Sequence, residues 1–213
     1  MSYRFTLQAD ARLLTEHFGV TQLLAYIESE REYAPTGYVS AICGRGQERV
    51  LDEFRWGLLP FWARNAVHAD GLSILGNKSF DYLLKRQRCV IPCSAYYRHV
   101  PEQGRKKAER VLLLQGQPLA LAGVYDIRIS PQGEELRTCT ILSVTSAAPG
   151  RDEQVPIVLG PEQTEAWLSA EFMDKLGVRD MVETIVDAQP RNLTYPYGEP
   201  AAEEGEGLQP FPA

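Results

Sequence analysis

The chain has 213 residues, of which 44% are hydrophobic, so its length and composition suit one large domain with a sizeable core. A formal net charge of -6 argues against a protein that coats nucleic acid through evenly spread positive charge, although a local basic groove is compatible with it. No apolar run approaches the roughly 20 residues that cross a membrane, no signal peptide is recognisable, and the four cysteines do not resemble a secreted disulfide framework, so we expect a cytoplasmic protein with reduced thiols.

Helical patterns occur in four stretches of the chain. Residues 9–30 repeat apolar side chains at three- and four-residue spacing, and we expect Gly19 to divide them into two short helices. Residues 79–87 (SFDYLLKRQ) predict a short helix. Residues 161–169 (PEQTEAWLS) predict another, because proline suits the first turn of a helix, and residues 171–186 continue the helical pattern.

Strand patterns occupy most of the remaining sequence. A turn (GRGQ) joins the first two candidates, and turn-rich pieces such as residues 101–107 separate the later ones. Many strands with few helices predict an α+β fold, a single domain with a mixed or barrel-like sheet and peripheral helices, over residues 1–195. The acidic residues 196–213 predict a mobile tail. The candidate strands are residues 38–43, 49–56, 89–92, 95–100, 110–116, 118–126 and 136–145.

The reactive residue types give no assignment by themselves. Cys89 and Cys93, followed by His99, lack the second half of a zinc motif, so buried thiols are the simpler interpretation. His17 falls in an amphipathic helix and His68 in a polar loop. No motif for cradling phosphate, binding a dinucleotide or holding a structural metal appears. These residues alone predict a soluble α+β domain without a defined activity.

Seven segments, in their order along the chain, resemble motifs of the SOS response-associated peptidase family. The opening MSYRF resembles Met-Cys-Gly-Arg-Phe, residues 55–63 (RWGLLPFWA) resemble Arg-Trp-Gly-Leu-x-Pro-x-Trp-Ala, and residues 86–92 (RQRCVIP) resemble Arg-Arg-Arg-Cys-Leu-x-Pro. The resemblance covers residues 1 to about 168 and implies the fold of that family. The other matching segments are residues 33–36 (YAPT), 95–97 (AYY), 121–126 (LAGVYD) and 155–168 (beginning VPIVL).

The resemblance implies a defined chemistry. In that family the initiator methionine is removed, and the amine and thiol of the cysteine that follows capture the aldehyde of an abasic site in single-stranded DNA as a thiazolidine. An Asn in an Asn-Ala-Arg motif, a Glu and a His assist, and the His and the carboxylate move the protons. The resemblance implies neither a cofactor nor a metal.

This chain departs from the family at the positions of those groups. Ser2 replaces the cysteine, and a hydroxyl is a far weaker nucleophile than a thiol at neutral pH. Arg98 replaces the Glu and stays protonated, and Asp152 replaces the His. Asn77, with Lys78, resembles a shortened Asn-Ala-Arg. We therefore predict a pseudoenzyme that has lost thiol-based DNA–protein crosslinking.

The same resemblance predicts a DNA-binding surface that needs no catalysis. A tryptophan wedge stacks on unpaired bases, which contributes about 1–3 kcal/mol per base. The expected partner is single-stranded DNA, including abasic-site or gapped DNA, and no membrane partner is expected. The residues at the matching positions are Arg4, Pro35, Trp62, Lys78 and Thr145, and Arg98 adds a phosphate contact.

Two alternatives remain open. If Met1 is removed, the amine of Ser2 can form a reversible Schiff base with an abasic site and cleave the strand by β-elimination. The sequence pI of about 5.2 and the acidic tail favour instead a non-DNA role, in which the fold serves as a protein-interaction or regulatory module.

Overall fold

The computed structural model describes residues 4–26, 31–58, 67–102, 105–112, 117–130, 132–145, 154–169, 174–188 and 201–203, and it confirms the α+β class. The helices within these residues are α1 (Ala11–Phe18), α2 (Lys78–Arg86), α3 (Pro161–Leu168) and α4 (Lys175–Asp187), with a 3-10 turn at Ser73–Gly76. The strands are β1 (Arg4–Leu7), β2 (Gln22–Leu23), β3 (Arg31–Tyr33), β4 (Tyr38–Arg45), β5 (Glu48–Trp56), β6 (His68–Asp70), β7 (Arg88–Cys93), β8 (Ala95–Glu102), β9 (Arg105–Leu112), β10 (Leu119–Ile129), β11 (Glu135–Thr145), β12 (Gln154–Pro156), β13 (Val158–Leu159) and β14 (Ala201–Glu203).

The larger of two sheets closes on itself. Its strands run in the order β12-β11-β10-β7-β4-β5-β2, with β13 on β10 and β6 on β11. In addition, β5 pairs in parallel with β11, so that Arg55 lies opposite Thr138 and Trp56 opposite Cys139. Strands β11, β10, β7, β4 and β5 therefore form a closed ring, which confirms the predicted barrel-like core. The second sheet has the order β14-β9-β8-β1-β3.

The cysteines belong to the buried core. Cys43 of β4 lies opposite Cys89 of β7, and Cys139 lies opposite Tyr125 of β10. All four cysteines, including Cys93, are outside disulfide bonds and fully buried. Burial raises the pKa of the Cys89 and Cys139 thiols, which keeps them protonated and unreactive. The interpretation of the cysteines as small core hydrophobes is confirmed.

The helices pack on the outside of the barrel. Trp167 of α3 is buried, and its indole N–H lies within hydrogen-bonding distance of the carbonyls of Cys89 and Gly123, at 3.0 and 3.1 Å. The buried Arg88 at the start of β7 donates to the carbonyls of Trp167 and Leu84, both at 2.8 Å, and so joins the barrel to α3 and α2. The predicted peripheral position of these helices is confirmed. Among the described helices, none is long and apolar enough to cross a membrane.

The first predicted helical stretch is half wrong. Helix α1 ends at Gly19, which adopts a left-handed φ of 62°, as the sequence suggested. The expected second helix is absent over the described residues 20–26. Gln22 and Leu23 instead form β2 along the edge of β5, and the Thr21 and Leu24 N–H groups donate to carbonyls of β5. The exposed backbone N–H and C=O groups at the edge of β5 bond to residues 21–24, and this pairing outweighs the helical pattern of a segment that has no capping residue.

The β8–β9 hairpin is longer than predicted. Strand β9 begins at Arg105, five residues before the expected start, and pairing runs from Ala95↔Leu112 to Glu102↔Arg105. Residues expected to form the turn therefore belong largely to the strands, because cross-strand pairing extends through a polar segment. Within the predicted tail, Ala201–Glu203 pair with β9. The boundary at residue 195 stays a prediction.

Gly123 allows the central strands of the barrel to approach closely. A Cβ atom at this position would lie 2.3 Å from Ile91 Cδ1 and 2.8 Å from the Thr140 carbonyl oxygen. We expect Gly123→Ala to lower the free energy of unfolding by about 1–3 kcal/mol, measured by urea denaturation. Gly76→Ala is the matched control, because a Cβ there meets no atom within 4 Å. Equal stability of the two variants would contradict the close approach at Gly123.

Candidate functional site

A small cavity is lined by strands of both sheets, and we call it the inter-sheet cavity. It measures about 20 Å³, which accommodates roughly one water molecule or one substrate oxygen. Its polar lining side chains are Arg4 of β1, His68 of β6 and Tyr96 of β8. Its apolar walls are Phe5, Trp56, Leu121, Ile141 and Pro156.

A larger cavity of about 180 Å³ lies between the end of α1, the start of β10 and α3. Its charged and titratable groups are engaged in structural contacts. The carboxylate of Glu165 binds the guanidinium of Arg49, and His17 hydrogen-bonds to the backbone of Pro118. The first contact joins α3 to β5 and the second joins α1 to the residue before β10, so this cavity is less suited to chemistry than the inter-sheet cavity despite its size.

Rigid elements hold His68 in the inter-sheet cavity. Strand β6 pairs in parallel with β11, and the Trp56 indole N–H donates to the Val67 carbonyl at 2.9 Å. After the strand, the Gly71 N–H donates to the Ser143 carbonyl at 2.8 Å. The indole of Trp56 also packs edge-on against the imidazole, with ring centroids 5.9 Å apart. The backbone on both sides of His68 is therefore fixed, as a functional side chain requires.

The surroundings of His68 keep its imidazole neutral. Burial, with a smaller contribution from the positive charge of the chain's amino terminus, lowers the pKa of His68 from 6.5 to about 4. At pH 7 the imidazole therefore carries no charge. It has one nitrogen that can accept a proton and one that donates a hydrogen bond.

Arg4 supplies a cation at the beginning of β1. Its Nη1 donates to Glu32 Oε1 at 2.8 Å, with side-chain exposures of 23% and 33%. Phe5, the next residue, lies opposite Tyr33 of β3 and Tyr96 of β8, which anchors β1 between two strands. A guanidinium carries a positive charge and N–H donors in a fixed planar geometry, which suits it to binding anions.

A polar network joins the ends of β11 and β12 near the cavity. The Ser143 hydroxyl donates to Gln154 Oε1, and Gln154 Nε2 donates to the Thr145 hydroxyl oxygen at 3.2 Å. The Thr145 side chain is exposed. This network positions the strand that carries Pro156 into the cavity wall.

Two residues of the predicted site begin α2 rather than line the cavity. Asn77 is the N-cap of the helix, and its side-chain oxygen accepts a hydrogen bond from the Ser79 N–H at 3.0 Å. Lys78 is exposed in the first turn. Neither is among the residues that line the inter-sheet cavity. The half-buried Pro35 lies in the turn between β3 and β4.

Several predicted site residues lie outside the described residues. Ser2, Trp62 and Asp152 belong to stretches that the structure does not describe. Arg98 lies in β8 with its backbone opposite Glu109 of β9, and its side chain is likewise outside the description. The roles assigned to these four residues stay predictions.

Sequence reasoning missed His68. Its interpretation as part of a polar loop was wrong, because it forms the first residue of a short strand and its side chain enters the cavity. The sequence did contain a signal. His68-Ala69-Asp70 places an alanine between two polar residues, as in Asn-Ala-Arg, and it lies between the Trp-Gly segment and α2. A strand of three residues is too short to show a periodic pattern of apolar side chains, so the strand was not recognised.

The neutral state of His68 predicts how stability depends on pH. The folded-state pKa lies below the unfolded value, so the unfolded chain takes up a proton first as the pH falls from 6.5 to about 4. The stability advantage of wild type over His68→Gln should be constant above pH 7 and decrease by on the order of 3 kcal/mol by pH 4. Urea denaturation of both proteins across this range measures it. A constant difference down to pH 4 would show that the imidazole is not held neutral.

Both the sequence and the fold of the chain are similar to those of known proteins. Its sequence matches the family model described as SOS response associated peptidase (SRAP) over residues 1–194. It is 29% identical over 185 residues to the abasic site processing protein YoqW of Bacillus subtilis, covering 82% of this chain and 83% of that protein. It is 28% identical over 180 residues to YoaM of the same organism, also named an abasic site processing protein, covering 79% of each chain. A crystal structure of a Bordetella bronchiseptica protein shares the fold, with a TM-score of 0.74 and 20% identity, covering 97% of this chain and 100% of that one.

Proposed function

The chain belongs to the SOS response associated peptidase family, and from this premise we propose that it binds single-stranded DNA at abasic sites without durable covalent capture. The names of YoqW and YoaM support an abasic-site function. The observation that carries the proposal is the inter-sheet cavity at Arg4. Arg4 lies two residues after Ser2, the position of the reactive cysteine in the family.

The cavity lies within reach of residue 2. Two residues of extended chain span at most about 7 Å, so the start of the chain stays close to Arg4. Among the described lining side chains there is a cation, a neutral imidazole and a phenol, and there is no carboxylate. This lining suits one phosphate oxygen of DNA at Arg4, since the cavity of about 20 Å³ has room for a single oxygen atom.

Three substitutions support the loss of capture. The hydroxyl of Ser2 cannot match a thiolate as a nucleophile, so ring closure on an abasic aldehyde is disfavoured. Arg98 cannot accept a proton in place of a Glu, and Asp152 cannot replace an imidazole as a base of intermediate strength. The surface that binds DNA needs neither a nucleophile nor a base. We assign it to Arg4, Pro35, Trp62, Lys78, Thr145 and Arg98.

A second candidate is a reversible lyase, which the position of His68 favours. If Met1 is removed, the α-amine of Ser2 can form a Schiff base with the abasic aldehyde within reach of this imidazole. Intact-mass spectrometry of the purified protein shows whether Met1 has been removed. A mass that retains Met1 excludes the Ser2 amine.

The proposal predicts binding without a heat-stable adduct. Purified protein is mixed with labelled DNA that contains one abasic site, as a single strand and as a duplex, and with the same single strand without the site. A native mobility shift that is strongest for the abasic single strand, with no shifted band on a denaturing gel, is the expected result. A heat-stable band would overturn the loss of capture, and equal shifts for single strand and duplex would overturn the binding preference.

Trp62 should contribute stacking energy to single-strand binding. We expect Trp62→Ala to weaken the affinity by about 1–3 kcal/mol, since a base loses its aromatic partner. Tyr82→Ala is the control, because Tyr82 is an exposed aromatic residue on α2. Fluorescence anisotropy with a labelled single strand measures both. If the two variants bind alike, Trp62 is not a stacking residue.

A further inference from the structure

We propose that the carboxylate of Glu32 competes with DNA phosphate for the guanidinium of Arg4, so that DNA binds at Arg4 by displacing Glu32. This inference rests on the proposed function, because it takes Arg4 as a DNA contact. It adds Glu32 as the residue that sets the affinity of that contact and its dependence on salt.

The pairing of β1 with β3 brings the two charges together. Thr6 of β1 lies opposite Glu32 of β3, so Arg4, two residues before Thr6, is on the same face of the sheet as Glu32 and diagonal to it. Arg4 Nη1 donates to Glu32 Oε1 at 2.8 Å. On the other side of β1, the backbone of Arg4 lies opposite Tyr97 of β8. Strand pairing therefore fixes both backbones and keeps the carboxylate close to the guanidinium.

The location of Arg4 distinguishes this ion pair. Of the ion pairs between described residues, the pair of Arg4 with Glu32 is the one that includes a residue of the inter-sheet cavity lining. The pair of Arg12 with Glu16, by contrast, connects successive turns of α1. Glu32 is therefore bound to the same cation to which we assign a phosphate oxygen of DNA.

Solvent reaches both partners of the pair. The side chain of Arg4 is 23% exposed and that of Glu32 is 33% exposed. An ion pair with this access to water adds little to the stability of a fold, because solvent screens the charges and two long side chains lose freedom. The same access allows an anion from solution to take the place of the carboxylate. The pair is therefore better suited to exchanging partners than to joining the two strands.

Phosphate and carboxylate require the same donors. Both are anions that accept charge-assisted hydrogen bonds from a guanidinium, and a carboxylate that stayed beside Arg4 would repel a phosphate bound there. Displacement of Glu32 removes this repulsion and leaves its carboxylate in water. The carboxylate then attracts a cation from solution while the phosphate releases one, so the net release of ions at this contact is smaller. Glu32 therefore lowers both the affinity for DNA and the salt dependence of binding.

The test is a double-mutant cycle measured with DNA. Wild type, Glu32→Gln, Arg4→Gln and the double variant are titrated with a labelled single strand that contains one abasic site. Fluorescence anisotropy gives the dissociation constants between about 50 and 200 mM salt. Glu16→Gln is the matched control, because it removes the same charge from an exposed ion pair with Arg12. Glu32→Asn serves as a second variant, and thermal unfolding shows that each variant is folded.

The expected result depends on Arg4. At low salt, Glu32→Gln should bind the single strand about three to ten times more tightly than wild type. Its logarithmic plot of affinity against salt concentration should be steeper by about 0.7, the value for one additional phosphate contact on a single strand. In the Arg4→Gln background, the substitution of Glu32 should change the affinity by less than about twofold, and Glu16→Gln should bind within about twofold of wild type.

Three results would overturn the inference. Equal affinities of wild type and folded Glu32→Gln, with single-strand binding intact, would leave the DNA-binding proposal standing without a role for Glu32. An equal gain from Glu32→Gln in the Arg4→Gln background, or from Glu16→Gln, would show that Glu32 acts only through net charge. If neither wild type nor Glu32→Gln binds the single strand, the proposed function fails and the inference fails with it.

Discussion

The parallel pairing of β5 with β11 is the constraint on which the candidate site depends. It closes the barrel and places Trp56 opposite Cys139. From there the indole reaches the carbonyl of Val67 and the ring of His68, while β11 itself pairs with β6. The same pair of strands thus closes the core and positions the imidazole. Gly123 of the barrel lies opposite Ile141, which lines the inter-sheet cavity, so barrel packing and the site share a strand.

The sequence predicted the elements whose signals are local. The strand patterns on either side of the turn GRGQ identified β4 and β5, both of which are largely buried. Gly19 and the proline at the start of α3 marked helix ends, since these residues restrict the backbone directly. The family resemblance supplied what local signals could not, namely the order of segments around a shared core.

The remaining features depend on contacts between distant residues. The strand β2 exists because the edge of β5 offers free backbone groups, which no window of its own sequence reveals. His68 enters the cavity because β6 pairs with a strand some 70 residues later. Asn77 resembled a catalytic residue in the sequence, yet its side chain caps α2. A short motif is therefore placed more reliably by its strand pairing than by its spacing from the next motif.

In the proposed function, DNA binding and covalent capture depend on different groups. A scaffold that retains the family fold, with Ser2 in place of a thiol and Arg98 in place of a carboxylate, keeps the groups suited to contact an anionic backbone and alters those that react with its lesion. On the proposed DNA-binding surface, a cation at Arg98 would attract phosphate where a carboxylate would repel it. The neutral imidazole of His68 gives the same cavity a group capable of proton transfer.

The most direct test of the central claim, that the inter-sheet cavity is the DNA site, is a chemical-shift map. Titration of the isotopically labelled protein with an abasic single-stranded oligonucleotide should shift the backbone amides of Arg4, Phe5, His68 and Tyr96. The amides around the larger cavity, such as those of His17 and Thr164, should remain unchanged. Shifts confined to the larger cavity, or spread evenly over basic residues far from Arg4, would contradict the account.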